Sequence, residues 1–346
     1  MIQHQLKLRP NAKLEKQLDE WLWILTGVYN WAIRKIENDA ADKIYYSPLG
    51  FKNLLPGHSK KLDIPSHVIR GTLSTAFTAW QRCFRKIAGK PKLKGVRRPL
   101  NNISFPDPIS APDGNYIGLP GLGRVRFNKQ RLPEGRIKCG RLVKRASGWY
   151  LCLFIDAEPN QIVRIGQGEI GVDPGFKDLL TFSTGEKIEH PRELEAAAKR
   201  LAQAQRGKNK KLAARISERV ANRRKDRNHK LSRRLVAENT KIIFSADSHK
   251  IIAKKFGKSV SSSGHAQLRS MLKYKSLIGG TQYIEVSPKN STRTCSACGG
   301  LSGPTGLKGL KVRHWVCSMC GMSHDRDINA AINTLSAGAG TSLEQV

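Results

Sequence analysis

Four cysteines near the carboxyl end limit most strongly what this chain can fold into. They form two pairs, Cys295 with Cys298 and Cys317 with Cys320, and each pair encloses two residues. Each such turn points two sulfurs at one place, and the loop between the pairs brings the chain back to it, so the four thiolates can close a tetrahedral zinc site. Because structural zinc held by four cysteines has no open position, we expect a non-catalytic zinc ribbon. The alternative is four buried or disulfide-bonded cysteines.

The balance of charge predicts a polyanionic partner. The 346 residues include 61 Lys and Arg against 27 Asp and Glu, a formal net charge of +34 at pH 7. Such a field attracts nucleic acid over long range, and binding should weaken steeply as salt rises. A surface that is merely soluble does not require one sign of charge to dominate so heavily. With no apolar run long enough for a bilayer and no signal-peptide core, we expect a soluble cytoplasmic protein with reduced cysteines.

The first half of the chain reads as a strand, two helices and a small β-domain. Alternation over Gln3–Arg9 predicts the strand, and helical spacing predicts one helix capped by Asn11 and another opened by Pro65. Residues 50–63 between the helices read as a loop. Short apolar runs between turns over residues 101–159 predict a small antiparallel barrel or sandwich. We expect the second helix to turn one apolar set inward: Val68, Ile69, Leu73, Phe77, Trp80, Phe84 and Ile87.

The second half has an α/β pattern and a basic helical ridge. Four strands are predicted to end at Asp173, Phe182, Ser245 and Val286, with one or two helices over residues 193–238. A run of charge on a helix is usually its solvated face, but this ridge and an earlier Pro- and Gly-rich basic loop are both candidates for phosphate contacts. We assign nucleic-acid binding to Lys90, Lys92, Lys94, Arg97, Arg98, Lys208, Lys210, Lys211, Arg223, Arg224, Arg227 and Lys230.

Two aspartates stand where a two-metal nuclease needs carboxylates. Asp173 ends a strand, and Asp327 lies beside Asn-Ala-Ala in a late helix. Carboxylates from separate elements can hold two Mg²⁺ or Mn²⁺ ions, one activating water and the other stabilising the leaving oxygen. Any single Asp could equally be a helix cap or a surface charge. The weight comes from the conjunction of Asp173, the cysteine pairs and Asp327 in one very basic chain.

Several motifs together resemble the TnpB family of RNA-guided endonucleases carried by insertion sequences, nearly from end to end. They are Tyr29-Asn30-Trp31, Ile64-Pro65-Ser66, Lys90–Lys94, Gly171–Gly175, His229–Leu235, Ser291–Gly299 and Asp325–Ala331. The resemblance implies a multidomain α+β and α/β fold, with a split oligonucleotide-binding-like β-barrel and an RNase H-like RuvC nuclease domain. The implied divisions are a wedge barrel at 1–10 and 100–165, a helical recognition insertion at 11–99, a RuvC-like domain at 166–294 and 322–346, and a zinc ribbon at 295–321.

The chain departs from the family at the middle catalytic Glu. The matching positions are Ser245 and Ala246, and neither can hold a divalent cation as a carboxylate does. Either the nuclease is dead or another acid substitutes. We predict Glu285 as the substitute, completing a magnesium site with Asp173 and Asp327, because neighbouring strands can offer side chains to one metal pair. Asp247 is the weaker candidate, and Glu285 has an alternative role as a strand residue that pairs with the basic helices.

The resemblance implies what the protein does and with which partners. A guide RNA would pair with target double-stranded DNA, the amino-terminal half would read a short flanking motif, and a transposable element of a prokaryote would encode the protein. Structural zinc, catalytic Mg²⁺ or Mn²⁺ and guide RNA are the expected cofactors, and a monomer is favoured. The rival hypothesis is a nuclease-dead, RNA-guided DNA-binding protein. A transposase using a covalent tyrosine is disfavoured, because no His-hydrophobe-His and Tyr constellation is present.

Overall fold

The chain forms two compact units, unit 1 over Met1–Pro159 and unit 2 over Asn160–Val346. The computed structural model describes residues 1–159, 161–246, 257, 260, 262–305, 309 and 311–339. No helix in these ranges is both long and apolar enough to cross a membrane.

Unit 1 combines an antiparallel sheet with helices inserted after its first strand. Its elements are β1 (Ile2–Lys7), α1 (Ala12–Ala41), α2 (Pro48–Lys52), α3 (His58–Leu62), α4 (Ser66–Phe84), β2 (Asn102–Phe105), β3 (Tyr116–Leu119), β4 (Gly123–Arg126), β5 (Arg136–Arg145) and β6 (Gly148–Asp156). The four-stranded sheet has the order β1-β6-β5-β2, and β3 and β4 form a separate hairpin. Because β1 pairs with β6, the strand that precedes α1 belongs to the same sheet as the strands that follow α4.

The long helices of unit 1 form as their spacing predicts. The Asn11 side chain accepts a hydrogen bond from the Leu14 amide at 2.9 Å, so the predicted N-cap of α1 is confirmed. Apolar residues at helical spacing bury one face of α1 against α4, and Trp80 Nε1 donates to the Ile33 carbonyl at 3.1 Å. Two expectations are wrong. Residues 50–63 include parts of the short helices α2 and α3, and Phe84 and Ile87 are exposed, because α4 ends at Phe84.

Unit 2 is built on a mixed five-stranded sheet. Its elements are β7 (Gly168–Pro174), β8 (Asp178–Phe182), β9 (Lys187–Glu189), α5 (Glu193–Arg206), α6 (Lys210–Glu238), β10 (Asn239–Ser245), α7 (His265–Gly279), β11 (Gln282–Val286), β12 (His314–Val316), β13 (Ser323–Asp325) and α8 (Arg326–Ala339). The order is β11-β10-β7-β8-β9, in which β7, β10 and β11 run parallel and β8 and β9 are antiparallel additions. The four predicted strands are confirmed, whereas β9 and the β12–β13 hairpin were not predicted.

The two faces of this sheet carry different helices. Val172 and Phe244 lie in one hydrophobic core with residues of α6 and α7, which defines the α6–α7 face. On the other side, a Cβ at Gly171 would lie 2.2 Å from the Ala331 carbonyl oxygen of α8, and one at Gly338 would lie 2.4 Å from Ile243. These glycines let α8 approach the strands more closely than any side chain would allow. This side of the sheet is the α8 face.

Candidate metal and nucleic-acid sites

The four cysteine sulfurs converge at one point. Their Sγ atoms all lie within 4.8 Å of one another, and the pairs Cys295–Cys320 and Cys298–Cys317 are each separated by 3.7 Å. Four thiolates bound tetrahedrally at the usual zinc distance would be about 3.8 Å apart. A disulfide needs about 2.05 Å between sulfurs, so the disulfide alternative does not fit. The second pair lies at the turn of the β12–β13 hairpin, which explains how the chain returns to the first.

Polar and aromatic groups surround the sulfurs on the buried side. The Ser302 hydroxyl donates to Cys317 Sγ at 3.1 Å and lowers the pKa of that thiol to about 6. His324 Nε2 lies 3.0 Å from Cys295 Sγ, and its ring packs against Trp315 with centroids 4.7 Å apart. Neither Ser302 nor His324 was assigned to the cluster from sequence. The available signal was the position of His324, four residues after the last cysteine.

Asp173 ends β7 on the α8 face, and Asp327 lies in the first turn of α8. Side chains alternate along a strand, so Asp173, two residues after Gly171, also points to the α8 face. Asp327 lies one turn before Ala331 on α8, and Ala331 contacts Gly171. Asp173 is about 6.6 Å from that contact along β7. Asp327 is about 6 Å from it along α8, which runs across the strands, because Gly338 approaches Ile243, the residue opposite Gly171.

A lateral row of side chains links the Asp173 level of the sheet to the start of α8. In the strand register, Asp173 lies opposite Thr181 and Thr181 lies opposite Lys187. The Lys187 Nζ atom is 2.7 Å from Asp325 Oδ2. Asp325 also caps α8, because its Oδ1 accepts from the amides of Asp327 and Ile328 at 3.0 Å. Burial opposes ionisation of Asp325, but the Lys187 ammonium and these amides outweigh it and hold the pKa of that carboxyl below its usual range.

A cation already contacts the second aspartate. Arg313 Nη1 donates to Asp327 Oδ2 at 2.9 Å, and this guanidinium lies between the cysteine pairs in sequence. Arg313 was not singled out in the sequence analysis, and it occupies one carboxylate oxygen of Asp327 in this structure.

The structure does not bring Glu285 together with these aspartates. Glu285 is in register with Phe244, and Phe244 is in register with Val172, so all three point to the α6–α7 face. There the Glu285 carboxylate accepts hydrogen bonds from Arg269 Nε at 3.1 Å and from the Tyr283 hydroxyl at 2.9 Å, and a second Arg269 contact makes the pair bidentate. Burial raises the pKa of the Glu285 carboxyl, but the hydrogen bonds from Arg269 and Tyr283 outweigh burial and hold that pKa below its usual range.

Ser245 occupies the α8 face instead. It follows Phe244 and pairs with Val286, so its side chain points to the same side as Asp173, where it is 2% exposed. Asp247, the weaker candidate, lies outside the described residues. Among those residues, the four cysteines are the one group of three or more His, Cys, Asp or Glu side chains whose ligand atoms are close enough to share an ion.

The predicted phosphate contacts fall into two groups. In unit 1, Asn30 holds both the amide and the carbonyl of Lys94 at 2.8 Å, and Lys90 pairs with Glu37, so the basic loop is fixed along α1. Nine of the twelve cations predicted to contact phosphates are exposed: Lys90, Lys92, Arg97, Arg98, Lys208, Lys210, Lys211, Arg223 and Lys230.

Arg227 is the member of the ridge that the structure turns inward. Its guanidinium lies 2.7 Å from Glu193 and donates to the Ser263 carbonyl at 2.8 Å, with 17% of the side chain exposed. Arg227 joins α6 to α5 and to the segment before α7, which counts against a phosphate contact, and its assignment to nucleic-acid binding stays a prediction. Lys94 and Arg224 are half-buried. Sequence spacing alone could not separate these three from the exposed cations.

Known proteins resemble this chain over most of its length. Residues 265–334 match the family described as "Cas12f1-like, TNB domain", and residues 154–245 match the family described as "Probable transposase". A "Putative RNA-guided DNA endonuclease" of Streptomyces pristinaespiralis is 34% identical over 300 residues, which cover 81% of this chain and 73% of that protein. InsQ of Escherichia coli, which carries the same description, is 26% identical over 374 residues that cover 96% and 91% of the two chains.

A solved structure has a similar fold. The chain in the cryo-EM structure of the Cas12f1-sgRNA-target DNA complex aligns with 94% of this chain and 83% of its own, with a TM-score of 0.58 and 15% sequence identity. At that identity the likeness concerns the fold alone. A TnpB-like protein, L79 of Acanthamoeba polyphaga mimivirus, is 27% identical over 393 residues, covering 96% of this chain. With one relative above 30% identity over most of both chains, and with these matches beside it, the chain belongs to the TnpB family.

Proposed function

We propose that this protein is an RNA-guided, divalent-metal-dependent DNA endonuclease encoded by a transposable element. The observation that carries the proposal is that Asp173 ends β7 on the α8 face and that Asp327 lies in the first turn of α8, the helix packed on that face. Two relatives that cover most of the chain are described as RNA-guided DNA endonucleases, which supports the same activity here. The order of the unit 2 sheet, with three parallel strands and two antiparallel additions, supports an RNase H-like RuvC domain at residues 166–294 and 322–346.

The two aspartates would bind Mg²⁺ or Mn²⁺. Carboxylate oxygens are the hard ligands that these ions prefer, and bound ions would activate water and stabilise the leaving oxygen of a phosphodiester. Asp325 and Lys187 position this end of α8, because Asp325 caps the helix while Lys187 ties it to β9. Glu285 as the third ligand stays a prediction, and its strand register counts against direct contact with ions held by Asp173 and Asp327.

The cysteine cluster would hold structural zinc. The donor set of four sulfurs and their 3.7 Å separations fit a tetrahedral ion, so we assign Cys295, Cys298, Cys317 and Cys320 as its ligands. His324 and Ser302 would hydrogen-bond to two of the thiolates and limit their charge. A closed site of four thiolates contributes folding free energy to the segment that presents Arg313 to Asp327.

Guide RNA and target DNA would be the partners. The exposed cations of the basic loop and of α6 supply phosphate contacts, and pairing with the guide would supply sequence recognition. Under this proposal residues 1–10 and 100–165 act as a wedge barrel and residues 11–99 as a recognition insertion. The structure described above supports the split arrangement, because β1 and β6 belong to one sheet on either side of the helices.

A nuclease-dead, RNA-guided DNA-binding protein is the second candidate. The observation that favours it is Ser245, whose hydroxyl points to the α8 face while Glu285 points away from it. In that case the partners are unchanged and only hydrolysis is absent. Asp173 and Asp327 would then stabilise unit 2 and no metal chemistry would follow.

A cleavage assay with purified protein, guide RNA and Mg²⁺ tests the proposal. If the protein is a nuclease, the wild type cuts matched DNA, and Asp173→Asn and Asp327→Asn bind it but do not cut. If the wild type binds but never cuts, the second candidate is correct. Ser245→Glu is then informative, because a carboxylate on the α8 face should raise metal affinity and restore cleavage. Failure of the wild type to bind guide RNA would reject both candidates.

A further inference from the structure

Two exposed tryptophans lie on the outer face of α1, with a glycine between them. Trp23 is 60% exposed and Trp31 is 37% exposed, although Trp21 on the same helix is buried at 3%. Gly27 lies midway, is exposed, and a Cβ there would meet nothing within 4 Å. The two indoles are eight residues apart, about 12 Å along the helix axis and about 80° apart around it. The glycine therefore leaves an open notch between two large aromatic surfaces.

The notch is bordered by cations and by the basic loop. From Gly27, an open depression of about 480 Å³ extends past Trp31 and the exposed Arg34 to Asp39, and Trp23 lies beyond its other end. Asn30, one residue before Trp31, holds the backbone of Lys94, so the exposed side chains of Lys92, Arg97 and Arg98 belong to a loop fixed along the same helix. Aromatic surface and positive charge thus occur side by side on one element.

We propose that this α1 face, defined by Trp23, Gly27, Trp31 and Arg34, binds unpaired bases of RNA. Aromatic rings stack on any base, and neighbouring cations contact the phosphates that join them. At about 3.4 Å per base, the 12 Å span admits two or three stacked bases. Paired bases in a duplex keep their faces covered, so the notch selects single-stranded segments. The inference rests on the proposed function, in which a folded guide RNA is the resident ligand and supplies such loops and bulges.

Charge complementarity favours nucleic acid over a protein as the occupant. Acids near this face already have cationic partners, because Glu37 pairs with Lys90, Glu20 with Lys16 and Asp39 with Lys35. The exposed Arg34 and the cations of the basic loop therefore leave the face positive. A second copy of the chain would bring the same positive face to itself. RNA is favoured over DNA, because in the proposed function the guide RNA is bound throughout, whereas unpaired DNA bases arise only after the target duplex has been opened.

The test compares four oligonucleotides of the same length, about 12 nucleotides: single-stranded RNA, abasic single-stranded RNA, duplex RNA and single-stranded DNA. Affinities are measured by fluorescence anisotropy on the full chain loaded with zinc. Trp23→Leu and Trp31→Leu should each weaken single-stranded RNA binding about tenfold, and leave abasic and duplex RNA binding unchanged. Tyr274→Leu, an exposed aromatic in unit 2, serves as the matched control and should change none of them. Circular dichroism verifies that each variant is folded.

Each outcome decides the matter. Equal single-stranded RNA affinity in the wild type and in both tryptophan variants would overturn the inference while leaving RNA guidance intact. If the tryptophan variants lose affinity for abasic and duplex RNA as much as for single-stranded RNA, stacking is not involved. If they lose affinity for single-stranded DNA alone, the face binds DNA. If the wild type dimerises and Trp23→Leu makes it monomeric, a second copy covers the face. No binding of any RNA by the wild type would instead reject the proposed function.

Discussion

The Arg269–Glu285 pair offers the sharpest test of how unit 2 uses its acids. If Glu285 binds catalytic metal, Glu285→Gln should abolish cleavage, and Arg269→Gln should not. If the ion pair is a structural contact between α7 and β11, the two variants should have the same moderate effects on stability and little effect on cleavage. The strand register and the bidentate geometry lead us to expect the second result.

The size of the effect follows from the burial of the pair. Both side chains are 21% exposed, so the pair lies between surface pairs, worth up to about 1 kcal/mol, and fully buried pairs, whose disruption costs about 3–5 kcal/mol. Glu285 also accepts from Tyr283, and this bond would be weakened in Glu285→Gln. We expect each variant to lower the free energy of unfolding by about 1.5–2 kcal/mol, with a coupling free energy of about 1 kcal/mol.

Urea unfolding followed by circular dichroism measures these free energies, with zinc present and with both single variants and the double variant. Lys273→Gln is the matched control, because Lys273 Nζ is 3.5 Å from Glu285 but its side chain is 61% exposed, so its loss should cost less than about 0.5 kcal/mol. Cleavage by the wild type and by these four variants is measured in parallel. Additive losses, or a Glu285→Gln protein of wild-type stability that never cuts, would refute the structural role.

Three further results are expected. Cys298→Ser should lose zinc, measured by elemental analysis, and lower the melting temperature of unit 2; a stable, zinc-free wild type would contradict this. Burial lowers the Lys275 pKa from 10.5 to about 8, so as pH rises the folded state loses this proton before the unfolded state does. The free energy of unfolding therefore increases as pH rises from about 8 to 10.5. Lys275→Met should remove up to about 3 kcal/mol of that rise in urea unfolding. Neutralising Lys92, Arg97 and Arg98 should lower the salt slope of RNA binding by about one unit per lost phosphate contact.

The sequence identified the elements of this fold better than their contacts. Helical spacing and the Asn11 cap are local properties, so α1 was predicted correctly. The cysteine spacing predicted convergence because a metal site fixes its own geometry. Phe84 and Ile87 were assigned to the core because periodicity continues past the point where α4 ends. Arg227 looked like its basic neighbours, since only its Glu193 partner distinguishes it.

The acidic residues show most clearly what could not be predicted from the sequence alone. A strand has a side-chain period of two, so a one-residue difference in register moves a side chain to the opposite face of the sheet. Glu285 follows a short apolar run and precedes the cysteines, which fits a metal ligand as well as an ion-pair partner. Its pairing with Phe244, and not with Ser245, decides the face. That pairing depends on how β10 and β11 align through the α7 connection, and no local pattern encodes it.

The same register limits the chemistry available on the α8 face. At the level of Asp173, the neighbouring strands offer the Ser245 hydroxyl and the Val286 side chain, so the strands supply one carboxylate and α8 supplies another through Asp327. Divalent ions held by two carboxylates keep more of their water and bind more weakly than ions held by three. Arg313 competes for Asp327, because a guanidinium and a metal neutralise the same charge. If Asp173 and Asp327 hold catalytic ions, water and the incoming phosphodiester would supply the remaining oxygen ligands, and metal binding would then strengthen when DNA arrives.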